Sequence, residues 1–357
     1  MPLYAFGSNG SGQLGIGHDE DVSVPTRCLF EDSEPCLTLG TNTDTNTDTE
    51  STHISSPSSS SSSPSPSSSP PSASSITRIA AGGNHTLILF ASGAVYSSGL
   101  NPDGRCGHPP SPSPIQRFRR VIVRDPGSGA VISKFADVSA TWEGSTLVAE
   151  GGERVFSVGS GMKGELGLGG GCVRAGEAAL VSASGAGFPP PGKKVLSVTG
   201  GVGHTVVVLD SGEVYGWGGG RKGSLEMGMG GRLPCGREFT VVTGDKKKGE
   251  GVPDPMGPFG GLGASWHGVY VQREHGGVVA WGRNDRGQLP PPGMGVVRGL
   301  AVGSEHVLVL IDGRTVMAFG WGEHGNCGPV TDERGNVDGA VVVGVGAGCA
   351  TSWIVTR

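Results

Sequence analysis

One short block recurs six times along this 357-residue chain and restricts what the chain can fold into. It reads LYAFGSNGSGQLG from Leu3, VYSSGLNPDGRCG from Val95, VFSVGSGMKGELG from Val155, VYGWGGGRKGSLE from Val214, VVAWGRNDRGQLP from Val278 and VMAFGWGEHGNCG from Val316. Each copy opens on an apolar run whose rough alternation fits a half-buried strand. A first glycine closes the run (Gly7, Gly99, Gly159, Gly218, Gly282, Gly320), and a second follows five residues later (Gly12, Gly104, Gly164, Gly223, Gly287, Gly325). Glycines so placed predict a tight loop with positions at positive φ, which glycine adopts without steric cost. A repeat fold is therefore the first expectation, since a single unit cannot bury its own apolar face.

A second signature precedes most blocks: a small-residue turn, usually ending in histidine, that leads into an aliphatic strand. The copies read AAGGNHTLILF from Ala80, SATWEGSTLVA from Ser139, GGVGHTVVVL from Gly200, GASWHGVYV from Gly263, VGSEHVLVL from Val302 and VGAGCATSWIV from Val345. Five run through a turn straight into the glycine block, which predicts strand, tight turn, strand. The sixth has no block after it, and the first block has no such strand before it. Joined end to start, these halves make one complete unit. The second glycines are 92, 60, 59, 64 and 38 residues apart, and the wrap-around step from Gly325 to Gly12 is 44 residues. That arithmetic predicts a closed ring of repeats in which the two ends of the chain pair, leaving no open sheet edge at the seam.

Composition agrees with an all-β repeat chain. The 67 glycines follow no collagen period, and short β runs accompany them. No apolar run reaches transmembrane length, and MPLYAFGSNG lacks the basic and hydrophobic regions of a signal peptide, so a cytoplasmic protein is expected, with the nucleus as second compartment. The seven cysteines include no C-x-x-C pair and read as free thiols. Residues 41–75 are rich in Ser, Pro and Thr with almost nothing apolar to bury, and read as a disordered insert within a single domain spanning 1–357. Removing its 35 residues shortens the longest step from 92 to 57. The net charge is −5, and the insert's Asp44, Asp48 and Glu50 leave −2 for the remainder, so no overall pull on nucleic acid is expected. Arg117, Arg119, Arg120 and Arg124 form the densest arginine group; a solvated outer strand is the first reading, an acidic partner or RNA contact the alternative.

Chemistry is hard to find in this pattern. His85, His204, His267 and His306 recur once per unit and are expected to be structural, bonding backbone at junctions between units rather than holding a metal. The glycine blocks lack the lysine pattern of a phosphate loop and no helix follows them. No nucleophile elbow occurs, and neither catalytic residues nor a cofactor are expected. The turns before the second strands are more informative, because they should share one rim of the ring and their residues vary. Asn84, Trp142, Glu143, Trp266 and Glu305 are candidate partner contacts, since tryptophan is over-represented in binding hot spots. Glu323 and His324, in the last block, are further candidates. The alternative for Trp142 and Trp266 is that they plug the central channel.

The composite unit, a small turn ending in histidine, a strand, an Asp/Gly turn and V-Y-x-W-G-x-N-x-x-G-Q-L-G, resembles the repeat of the regulator of chromosome condensation family. That resemblance implies a β-propeller with four-stranded blades, of which six are countable and a seventh has room only between Gly230 and Pro258. Departures are plain: Thr141 to Gly144 lacks the histidine, Gly218 to Glu226 lacks Asn and Gln, and Pro290 replaces a glycine. Within the family the opening YAFGSNGSGQLGIGHDEDVSVPTR is similar to the fungal alpha-tubulin suppressor proteins. That resemblance implies a non-catalytic regulatory subunit paired with a small CSL-type zinc-finger protein, which carries the metal. Such a pair supports Elongator-dependent wobble-uridine modification of tRNA and diphthamide formation on elongation factor 2. Guanine-nucleotide exchange on a small GTPase with chromatin association is the alternative function within the same family.

Overall fold

The computed structural model describes residues 3–31, 76–169, 171–183, 186–211, 213–219, 240–241, 259–312, 315–321, 327, 342–348 and 351–356. The expected insert at 41–75 and the stretch 230–239 and 242–258, where a seventh unit had room, lie outside them. Among the described residues every regular element is a strand, and neighbouring strands are antiparallel. The first sheet is built in spatial order from Ile76–Ala81, His85–Phe90, Val95–Asn101 and Ser111–Arg120. The second is Phe135–Ala140, Gly144–Ala149, Val155–Ser160 and Arg174–Leu180; the third is Val195–Gly200, His204–Leu209, Val214–Gly218 and Thr240–Val241. The fourth is Phe259–Ala264, Gly268–Arg273 and Val278–Gly282, and the fifth is Val297–Val302, His306–Ile311 and Thr315–Gly320. The sixth draws on both ends of the chain: Val342–Ala347, Thr351–Thr356, Tyr4–Gly7 and Val22–Arg27. In it Tyr4 faces Ile354 and Gly7 faces Thr351, so the two half-units do share a sheet.

The first strand of each sheet touches the first strand of the next, and that of the sixth touches that of the first. Apolar clusters fill the spaces between sheets. Leu87, Leu89 and Val95 of the first sheet pack on Phe135, Val138 and Leu147 of the second. Leu3, Ala5 and Trp353 of the sixth pack on Ile88, Phe90 and Phe118 of the first. Each fully buried aliphatic or aromatic side chain of this kind contributes about 1.5–3 kcal/mol. Packing on both sides corrects the alternation expected of the block strands, for Val155–Gly159 is buried at every residue. It also buries the second strands His85–Phe90, Gly144–Ala149, His204–Leu209 and His306–Ile311 throughout, because neither sheet face meets water there.

The first glycine of every block sits at positive φ: 109° at Gly7, 114° at Gly99, 97° at Gly159, 100° at Gly218, 114° at Gly282 and 104° at Gly320. At Gly99 a Cβ would also overlap the Asn84 carbonyl and the His85 backbone. Gly99→Ala is expected to lower stability by roughly 2 kcal/mol or more, read as a shifted urea midpoint at unchanged slope. The asparagine of the block has a mechanical reason. Asn9, Asn101 and Asn284 accept the backbone N–H five residues on, from Leu14, Cys106 and Leu289, at 2.9, 3.0 and 3.0 Å. The shortest step between blocks is explained too. Residues 283–296 are all described and contain no strand, so the fourth sheet stops at its third strand. Pro290, Pro291 and Pro292 lie there, and proline donates nothing to a ladder.

Candidate functional site

In the first five sheets the first and second strands are joined by tight turns at one end of the molecule. In five of these turns the first residue donates its N–H to the carbonyl three residues on: Gly82 to His85, Thr141 to Gly144, Gly201 to His204, Ser265 to Gly268 and Gly303 to His306, at 2.8–2.9 Å. The turns are also stitched to one another. Gly83 N–H donates to the Trp142 carbonyl at 3.0 Å, Trp266 N–H to Ser304 at 2.8 Å and Ser304 N–H to Gly348 at 3.0 Å. Glycine starts three of the turns because a Cβ at Gly82, Gly201 or Gly303 would collide with the imidazole three residues on and with a carbonyl of the next sheet.

His85, His204 and His306 are buried in the second strands, opposite the first glycines Gly99, Gly218 and Gly320. His85 Nε2 is 2.8 Å from Ser145 Oγ, and His306 Nε2 is 3.1 Å from Ser352 Oγ, each reaching into the following sheet. At these junctions a neighbouring hydroxyl is a partner, and the Gly144 backbone is another for His85. His267 departs from the pattern: the residue opposite Gly282 is Gly268, so His267 stands one position earlier, at the turn tip with Asn84, Glu143 and Glu305. Counting back from the histidine misaligned this copy by one residue. Burial lowers the pKa of His85 to about 3 and of His204 to about 4.

The first strands surround an axial cavity of about 60 Å³, room for a few waters and too small for a cofactor. At its mouth Trp142 and Trp266 meet edge to face, with ring centroids 5.3 Å apart and planes at 75°. Both are half-buried. At its floor lies Arg78, whose Nη1 bonds Asp137 at 2.7 and 2.9 Å and Ser197 Oγ at 3.1 Å, while Nη2 donates to the Leu262 carbonyl at 3.0 Å. Asp137 additionally accepts Ser197 Oγ–H at 2.9 Å and Val198 N–H at 2.8 Å. One guanidinium therefore ties four sheets together across the axis. This network was missed in the sequence, although a signal existed. Register places Arg78, Asp137, Ser197, Gly261, Gly299 and Gly344 at one equivalent position, just past an irregularity in each first strand.

Two ionic clusters flank the mouth. Glu143 receives Arg105 Nη2 at 3.3 Å, and Arg105 is itself held by Asp103 at 2.8 and 2.9 Å. Burial pushes the Asp103 carboxyl up, but hydrogen bonds from Arg105 and Ser160 outweigh it and lower its pKa. Glu305 occupies the same turn position as Glu143 and takes Arg283 Nη1 and Gln288 Nε2, both at 2.8 Å. Of the candidate contacts, Glu143 is 43 % exposed at its side chain, whereas Glu305 is buried with both oxygens engaged. Asn84 is half-buried, with its carbonyl accepting Leu100 N–H at 2.9 Å. Glu323 and His324 lie outside the described residues, as do Gly223 and Gly325. The arginine group is divided. Arg119 pairs with Glu31 at 2.8 Å, Arg120 lies 5.9 Å from the Tyr96 ring centre, and Arg124 donates to the Gly129 carbonyl. Among the described residues no three His, Cys, Asp or Glu side chains group as metal ligands.

Two segments match models of the regulator of chromosome condensation (RCC1) repeat, residues 2–38 and 76–105. The second begins with the first sheet and runs into its glycine block. At these two segments the chain is similar to RCC1-repeat proteins. An RCC1 repeat-containing protein of Schizosaccharomyces pombe is 26% identical over 99% of this chain and 98% of its own length. The bovine secretion-regulating guanine nucleotide exchange factor is 24% identical over 92% of this chain and 76% of its own. Among solved structures, human WBSCR16 superposes with a TM-score of 0.58 at 15% identity, over the whole of both chains. Yeast Prp20p, described with its binding to Gsp1p and histones, superposes at 0.60 and 16% identity, covering 100% of this chain and 92% of its own. These two likenesses establish the RCC1-like propeller fold. Among the described residues no helix is long and apolar enough to cross a membrane.

Proposed function

We propose that the six sheets are the blades of a closed ring and that the ring is a non-catalytic protein-binding platform. The pairing of Tyr4–Gly7 with Thr351–Thr356 and the unbroken succession of first-strand contacts support closure. The observation that carries the platform reading is the Trp142–Trp266 pair. Two tryptophans kept half-buried at a turn position that holds Gly83, Val202 and Ser304 in other sheets are a large apolar area with two polar tips, the composition of a binding hot spot. The reaction or cargo would then belong to the partner. Following the resemblance of the chain's opening, the partner is a small CSL-type metalloprotein, and the pair serves Elongator-dependent tRNA modification and diphthamide synthesis in the cytoplasm. The experiment is a pull-down with the full chain and its Trp142→Ala/Trp266→Ala variant. Binding of the small metalloprotein should fall at least about tenfold, with the urea midpoint little changed. Equal binding by the variant would remove the tryptophans from the interface, and failure of the unmodified chain to bind would remove the partner.

A second reading has one observation behind it. The bovine relative that matches across most of this chain is named a guanine nucleotide exchange factor. Under this reading the same rim holds a small GTPase and opens its nucleotide site. Acceleration of nucleotide release from a small GTPase by the purified chain would favour it over the first.

A further inference from the structure

We propose that the outer edge of the fourth sheet, strand Val278–Gly282, is a docking site for an extended peptide that adds a fourth strand. The first three sheets and the sixth each cover their third strand with a fourth. Here the chain from Arg283 to Val296 is described throughout and supplies none. Among the described residues, Val278–Gly282 forms ladder bonds only with Gly268–Arg273, so one row of its N–H and C=O groups is left unpaired. Exposure agrees. Val155, Phe156 and Ser157 in the covered second sheet are fully buried, whereas Val279 is 45% exposed. Nothing in the strand guards the edge, for VVAWG has no charge, proline or bulge.

The chemistry of the occupant follows from the chain's own outer strands and from local charge. Arg174–Leu180 and Ser111–Arg120 run antiparallel to their third strands and turn Ala175, and Ile115 and Phe118, inward. A docked peptide should do likewise, with small or β-branched residues alternating. Antiparallel docking sets its N-terminal end beside the loop that leaves Gly282. That loop carries Arg286, exposed, lying 5.5 Å from the Trp321 ring centre and without an ion pair among the described residues. An acidic residue at the N-terminal end of the peptide complements it. A second copy fits less well. Five residues of edge fall far short of the roughly 800 Å² per partner that a stable dimer buries. Strand addition instead draws its affinity from main-chain bonds and its specificity from alternate side chains.

The test uses the full chain and two synthetic peptides, DEVTVTV and KKVTVTV, followed by hydrogen exchange and fluorescence anisotropy. Val278–Gly282 should exchange fast alone and be protected at least about tenfold by DEVTVTV. Val279→Lys, at an exposed side chain, should weaken binding about tenfold, and Arg286→Glu should reverse the preference between the peptides. Slow exchange without peptide would mean that the chain covers its own edge, and concentration-dependent protection would mean that a second copy does. Either result, or binding indifferent to both variants, overturns the proposal. The outcome is independent of the rim partner, which the tryptophan variant tests.

Discussion

Acidification from pH 6.5 towards pH 4 is expected to destabilise this protein steeply. Burial lowers the pKa of His85 to about 3 and of His108 and His204 to about 4, from 6.5. Above pH 6.5 these imidazoles are neutral whether the chain is folded or not, and they leave stability level. Below it the unfolded chain binds protons that the native state refuses, so stability falls with pH until the folded pKa values are reached. Each histidine contributes about 1.4 kcal/mol per pH unit, and three together about 4. A domain of ordinary stability holds about 5–15 kcal/mol, so roughly one to four pH units at that slope would consume it. Urea midpoints taken between about pH 7.5 and pH 4.5 measure the slope. His204→Gln should flatten that slope by about one proton, and a level profile across the range would refute the account.

Asp137→Ala is expected to cost about 3–5 kcal/mol, among the largest losses from any single substitution here. Its carboxylate is the acceptor on which Arg78, Ser197 and Val198 converge, and Arg78 alone reaches the first four sheets. Removing it leaves a guanidinium, 21% exposed, without its counter-charge at the centre of the molecule. A double variant, Arg78→Met with Asp137→Ala, should recover part of the loss, because the uncompensated charge goes too. Urea denaturation of the two single variants and the double one gives the coupling energy. Strictly additive losses would show that the two residues act apart.

Much of the site became visible only when residues from different repeats were brought into register. The turn candidates Trp142 and Trp266 stood out as large residues among small ones, yet nothing local says that two turns 124 residues apart bring their rings together. No local motif marks Arg78 and Asp137 as a pair. Their pairing depends on which strands line the axis and on the equivalent position being glycine in the last three sheets. Glu305 looked like a surface contact because a turn tip is usually solvated; Arg283 and Gln288 of the preceding block turn it inward. His267 was misplaced because a histidine is conspicuous, whereas the register is set by the glycine opposite it.

What the amino-acid order determined by itself was local and periodic: strands, tight turns, and the glycines that had to adopt positive φ, together with the sharing of one sheet by the chain's two ends. Those features depend on backbone sterics and on repeat spacing, which are written residue by residue. Tertiary structure decided the rest: full burial of second strands on both faces, the meeting of the tryptophans, the arginine across the axis and the fourth-sheet edge that the described residues leave unpaired. Each depends on distances between segments far apart in the chain, and those distances exist only once the sheets have packed.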